Sequence, residues 1–105
     1  MGNMTDADAT KKKVMTLLDA ASENQVNAFG YELMGENDIA TALDAFKLNV
    51  KKHPESWNVY DSMGDAYNTS GDHKQALSNY KIALSKAPVD KKERIQKIII
   101  SLEKS

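Results

Sequence analysis

Apolar residues recur along this chain at helical spacing, and short polar clusters cut them into separate stretches. Val14, Leu17, Leu18 and Ala21 form the first, a narrow stripe. Lys11, Lys12 and Lys13 precede it as a solvated flank, and Thr5 with Asp6 and Asp8 reads as the helix start. Threonine there caps a free backbone N–H, and the carboxylates favour the positive end of the helix dipole. Ser22, Glu23 and Asn24 then offer a break. Helices are predicted near 25–35 and 39–52, and again near 57–69 and 73–86. The turns within these pairs, Gly35–Asp38 and Ser70–Asp72, each end in an aspartate able to cap the next helix. Pro54 and Pro88 cannot continue the helices before them, so each closes a pair. A last helix is predicted over 91–104, capped by Asp90, with Ile95, Ile98, Ile99 and Leu102 on one face. The pattern predicts an all-α chain of about six helices in antiparallel pairs.

The two prolines stand 34 residues apart, and the residues before them match at the same interval. Tyr60, Met63, Gly64, Tyr67, Gly71, Ala76, Tyr80, Ala83 and Pro88 answer to Val26, Phe29, Gly30, Leu33, Asn37, Ala42, Phe46, Asn49 and Pro54. An aromatic, Leu/Gly, Tyr, Ala, aromatic, Ala, Pro order at this period resembles the tetratricopeptide repeat. The first unit departs from that pattern at Val26, Asn37 and Asn49. Asn37 is mild, since asparagine also tolerates a left-handed turn. The resemblance implies an alpha-alpha superhelix, in which antiparallel helix pairs stack with a right-handed twist. It divides the chain into a capping helix (1–22), repeats at 23–56 and 57–90, and a second cap (91–105). The first helix is no third repeat, because Lys12 falls where an aromatic is needed. Gly30, Gly64, Ala42 and Ala76 are expected where paired helices approach closely, while Phe46 and Tyr80 fill the space toward the next unit.

A narrower resemblance covers Ser22 to Pro88. The wording Asn27–Ala28–Phe29–Gly30–Tyr31–Glu32–Leu33, Ala45–Phe46–Lys47–Leu48–Asn49–Val50 and Asn58–Val59–Tyr60–Asp61–Ser62–Met63–Gly64–Asp65–Ala66–Tyr67 is similar to repeats at the C-terminus of bacterial serine-hydrolase chains. Those include beta-lactamase-like and esterase-like enzymes, which makes Asn49 a trait of the subtype. The catalytic part is not carried over, for neither Ser-x-x-Lys nor Gly-x-Ser-x-Gly occurs here.

Composition narrows the chemistry. The 105 residues suit one domain, with 41% hydrophobic and 28% charged side chains and a net charge of −1. That balance points neither to nucleic acid nor to an anionic membrane. The basic ends, Lys11–Lys13 and Lys91, Lys92, Arg94, lack interleaved aromatics. Cysteine is absent, and with it disulfides and thiol nucleophiles. The N-terminus has no apolar signal core, so a cytoplasmic location is expected. His53 sits in an inter-repeat turn and His73 opens a helix, neither beside a base–nucleophile pair. Asp61 and Asp65 are paired carboxylates without a near third ligand. No enzymatic activity, metal or cofactor is expected.

Binding is the expected role. Asn58, Asp61, Asp65 and Asn68 recur at spacings of 3, 4 and 3, which sets them on one helix face opposite Tyr60, Met63, Gly64 and Tyr67. Asn24, Asn27, Tyr31 and Met34 are their counterparts in the first unit. In the tetratricopeptide family this concave face usually holds the ligand. The resemblance therefore implies a partner-binding groove of Asn27, Tyr31, Met34, Asn58, Asp61, Asp65 and Asn68. Amides suit a peptide backbone, Tyr31 and Met34 suit apolar side chains, and the aspartates favour a basic residue. The Lys and Asn that clamp a C-terminal carboxylate in some relatives are replaced by Asn27 and Tyr31, which argues against a chaperone-tail receptor. The alternative is an accessory or dimerisation domain of a larger hydrolase. It would act through its end helices as a homodimer, with Ile100, off the main apolar stripe, at the edge. Trp57 is expected to cover the turn before it.

Overall fold

The computed structural model describes residues 12–104, all in helices and short turns with no strand among them. Helix α1 is seen over 12–19, and its expected start at Thr5 lies outside the described residues. Five helices follow: α2 (Glu23–Gly35), α3 (Ile39–Lys52), α4 (Trp57–Ser70), α5 (His73–Lys86) and α6 (Val89–Lys104). None is long and apolar enough to cross a membrane.

The 34-residue period is built into the backbone. Helices α3 and α5 begin and end 34 residues apart, as do the first residues of α2 and α4. The turns inside the pairs match bond for bond. Asn37 N–H donates to the Met34 carbonyl and Asp38 N–H to Leu33, as Gly71 does to Asn68 and Asp72 to Tyr67. Both turns need a left-handed residue, and Asn37 (φ 65°) and Gly71 (φ 91°) supply it. Asp38 then accepts from Thr41 N–H at 3.3 Å and Asp72 from Gln75 N–H at 3.1 Å, so both carboxylates cap as expected.

Two starts differ from expectation. Helix α2 begins at Glu23, because Ser22 and Gln25 close a reciprocal capping box of 2.9 and 3.1 Å. Helix α6 begins at Val89, with Lys91 N–H bonded to the Pro88 carbonyl at 2.9 Å. Proline at a helix entrance loses no intrahelical bond, so Pro88 opens α6 as well as closing α5. Asp90 thus lies within the first turn of α6.

Three apolar clusters run down the stack. Leu18, Val26 and Ala45 form the first, and Leu33, Ala42, Phe46, Met63 and Ala66 the second. The third joins Ala76, Tyr80, Ala83, Ala87, Ile95 and Ile99, with Trp57 packed against it. The Trp57 ring is therefore directed at the last cluster and does more than cover its turn. Helix A meets helix B through a ring laid on a glycine. A Cβ on Gly64 would stand 2.7 Å from two Tyr80 ring atoms, and one on Gly30 would run into Phe46. Phe46 and Tyr80 thus fill the space over the glycine of their own unit, while Ala42 and Ala76 are fully buried nearby. Asn49 is also buried, at 1% exposure, and its amide donates to the Glu23 carbonyl at 3.0 Å. That bond ties the middle of α3 to the start of α2, work an alanine cannot do.

Candidate functional site

Helices α2 and α4 lie side by side, and their 34-residue offset brings the expected groove residues together. Their order from the chain start is Asn24, Asn27, Tyr31 and Met34 on α2, then Asn58, Asp61, Asp65 and Asn68 on α4. Asn24 is exposed and Tyr31 is 37% exposed. Asn27, Met34, Asn58, Asp65 and Asn68 are half-buried. Asp61 departs from the outward position its spacing suggested: only 6% of it is exposed.

Each polar group on this face except Asn24 and Asn58 is engaged by a neighbouring helix or turn, or packs on apolar surface. Ser62 of α4 donates its hydroxyl to the Asn27 side-chain carbonyl. Tyr31 donates to one oxygen of Asp65, and Tyr80 of α5 donates to the other. The Tyr31 ring meets Phe46 edge to face at 5.3 Å between centroids. Nδ1 of His73 stands 2.9 Å from Oδ1 of Asn68, and Met34 packs against the middle apolar cluster. Arg94 of α6 places a guanidinium nitrogen 2.8 Å from Oδ2 of Asp61. Sequence spacing had put Arg94 on the solvated side of α6, yet its side chain reaches α4.

The electrostatics follow from this packing. Burial raises the Asp61 carboxyl above its ordinary value, and the bond to Arg94 offsets that only in part. Oδ1 of Asp61 is buried without a hydrogen-bond partner. Burial, then the bond to Asp65, holds the Tyr31 and Tyr80 phenols well above their usual range. Burial works against the charge on Arg94, but the bond to Asp61 and the nearby Asp65 charge raise its pKa on balance. Helices α2 and α4 carry Glu23, Glu32, Asp61 and Asp65 and no lysine or arginine.

Ser62, Tyr80 and Arg94 belong to this network and were not among the expected site residues. One signal was present: tyrosine at 80 where the first unit has Phe46 brings a hydroxyl that needs an acceptor. Arg94 gave none, since its reach depends on how α6 docks. Elsewhere, Ser56 donates to Glu23 at 2.7 Å and His53 lies 3.9 Å from that carboxylate, joining the units. Among the described residues no group of three His, Asp or Glu side chains is placed to hold a metal ion. An open cleft between α5 and α6 is lined by His73, Lys74, Leu77, Leu102 and Glu103. Neither a protein-family model nor a curated protein sequence matches the chain.

Proposed function

We propose that this chain is a non-catalytic protein-interaction module of tetratricopeptide type, which binds a segment of a partner protein across α2 and α4. The observation behind this reading is the paired, in-register alignment of those helices 34 residues apart. Internal hydrogen bonds hold the shared face in one shape before any ligand arrives, which lowers the ordering cost of binding. Asn24, Asn58 and the edge of Tyr31 remain to meet a partner. Acidic residues without lysine or arginine on these two helices favour a segment carrying basic groups.

The test is capture of partners from a lysate of the source cells by wild type and by the Asn24→Arg, Asn58→Arg variant. These two side chains carry no bond between helices, so helicity and melting temperature should hold. A protein retained by wild type, lost by the variant and released by salt supports the reading. Identical capture by both overturns it. Substitution of Asp61 and Asp65 would not serve, because it breaks the Arg94 ion pair and both tyrosine bonds.

A second reading rests on the 44% exposure of Ile100 and 86% exposure of Val89 on α6. It makes the chain an accessory or dimerisation domain of a larger bacterial serine hydrolase, working through its end helices. Sedimentation of wild type and Ile100→Ser decides it: a dimer lost in the variant supports this role, and a monomer in both removes it.

A further inference from the structure

Asp61 is an unusual residue to find inside a helical stack. It is a carboxylate almost wholly withdrawn from water, and one of its oxygens has no donor. Leaving a buried acceptor unsatisfied costs roughly 1–3 kcal/mol, more for a charged group. The other oxygen receives a single nitrogen of Arg94, although a guanidinium can serve both oxygens of a carboxylate at once. Arg94 itself is held loosely, with 49% of its side chain exposed. Asp65 lies close enough to act on the Arg94 charge, and so does Tyr31. The site is thus shaped for a planar cation, and the cation it holds fits it incompletely.

Resting on the interaction-module reading above, we infer that Asp61, framed by Asp65 and Tyr31, is a guanidinium seat that Arg94 fills in the free protein and an arginine of the partner takes over on binding. Arg94 then acts as a stand-in ligand carried on the chain's own last helix. A tethered group competes at an effective concentration on the order of millimolar. A lone arginine therefore cannot displace it, and a partner must bring further contacts along α2 and α4. The seat sets a requirement on the partner as well: arginine, whose planar fork can serve both oxygens, and not lysine, whose ammonium is a point charge.

The experiment titrates argininamide, with lysinamide as control, into the full chain at constant ionic strength and follows the Asp61 and Asp65 side-chain carboxyl resonances. Wild type, Arg94→Ala and Arg94→Ala with Asp61→Asn are compared. Argininamide should bind Arg94→Ala at least tenfold more tightly than wild type. Lysinamide should bind neither comparably, and the Asp61→Asn change should abolish the gain. Equal binding of both amides, or equal affinity in wild type and Arg94→Ala, overturns the seat. If Arg94→Ala does not fold, Arg94→Gln keeps the length and hydrogen-bonding capacity of the side chain and carries the same comparison. The titration needs no partner protein. A seat found here with nothing captured in the lysate experiment separates this inference from the interaction reading, and the converse holds too.

Discussion

Glycine 64 shows how much one missing Cβ decides. Its place is taken by the Tyr80 ring, whose hydroxyl must still reach Asp65. Gly64→Ala forces that ring away and should destabilise the fold by about 1–3 kcal/mol through overpacking. Gly64→Leu should be among the most damaging single changes. Gly35 is the internal control: a Cβ there meets nothing within 4 Å, and its backbone is not left-handed. Gly35→Ala should be neutral or stabilising by about 0.4–1 kcal/mol, chiefly by restricting the unfolded chain. Urea melts of the two alanine variants should therefore move in different directions. Asp61 offers a second residue-scale test. Its pKa is raised in the folded chain, so protonation favours the folded state. The stability this adds is complete below the unfolded value and is lost as pH rises through the folded one. Asparagine cannot ionise and keeps its contribution. The melting temperature of Asp61→Asn relative to wild type should therefore rise from pH 3 to pH 7; a fall over that range contradicts the raised pKa.

At the scale of elements, the two turns inside the repeats make equivalent demands with different residues. Gly71 accepts its φ of 91° freely, whereas an alanine there pays the left-handed penalty, so Gly71→Ala should cost about 1–2 kcal/mol. Asp38→Ala and Asp72→Ala each remove one cap and should cost about 1 kcal/mol by thermal or urea melting. Such punctuation is local chemistry, and for that reason it was legible in the sequence. The bounds of α3 and α5 follow from Asp38, Asp72 and the prolines alone. The start of α6 did not, because Pro88 both ends one helix and opens the next, and composition does not separate these roles. The site divides along the same line. Helical spacing was enough to set Tyr31 and Asp65 on one face, since the 34-residue period aligns α2 with α4. It misjudged Asp61, whose burial depends on Arg94 arriving from α6. No local signal reports where a terminal helix will dock.

Across the whole molecule, stability should spread along the stack from neighbour to neighbour. Each helix packs chiefly on the next one in sequence, which is the pattern of a quasi-one-dimensional fold. The three apolar clusters nevertheless share members at their edges. Phe29 packs against the first and the second, and Tyr67 against the second and the third. That sharing predicts one cooperative transition and not an independent melting of each unit. Ile95 tests it from one end, because it is fully buried on α6 and lies far along the chain from α1. Ile95→Ala should cost about 2–5 kcal/mol. The fluorescence of Trp57, the single tryptophan, reports the α4–α5 region, while the far-ultraviolet circular dichroism reports every helix. If the clusters couple the stack, both signals shift together in the variant and keep a common midpoint. A variant whose fluorescence transition moves down while much of the helical signal melts at the wild-type temperature would show the first unit standing by itself. Coupling along the core would then fail at Tyr67, the side chain shared by the second and third clusters.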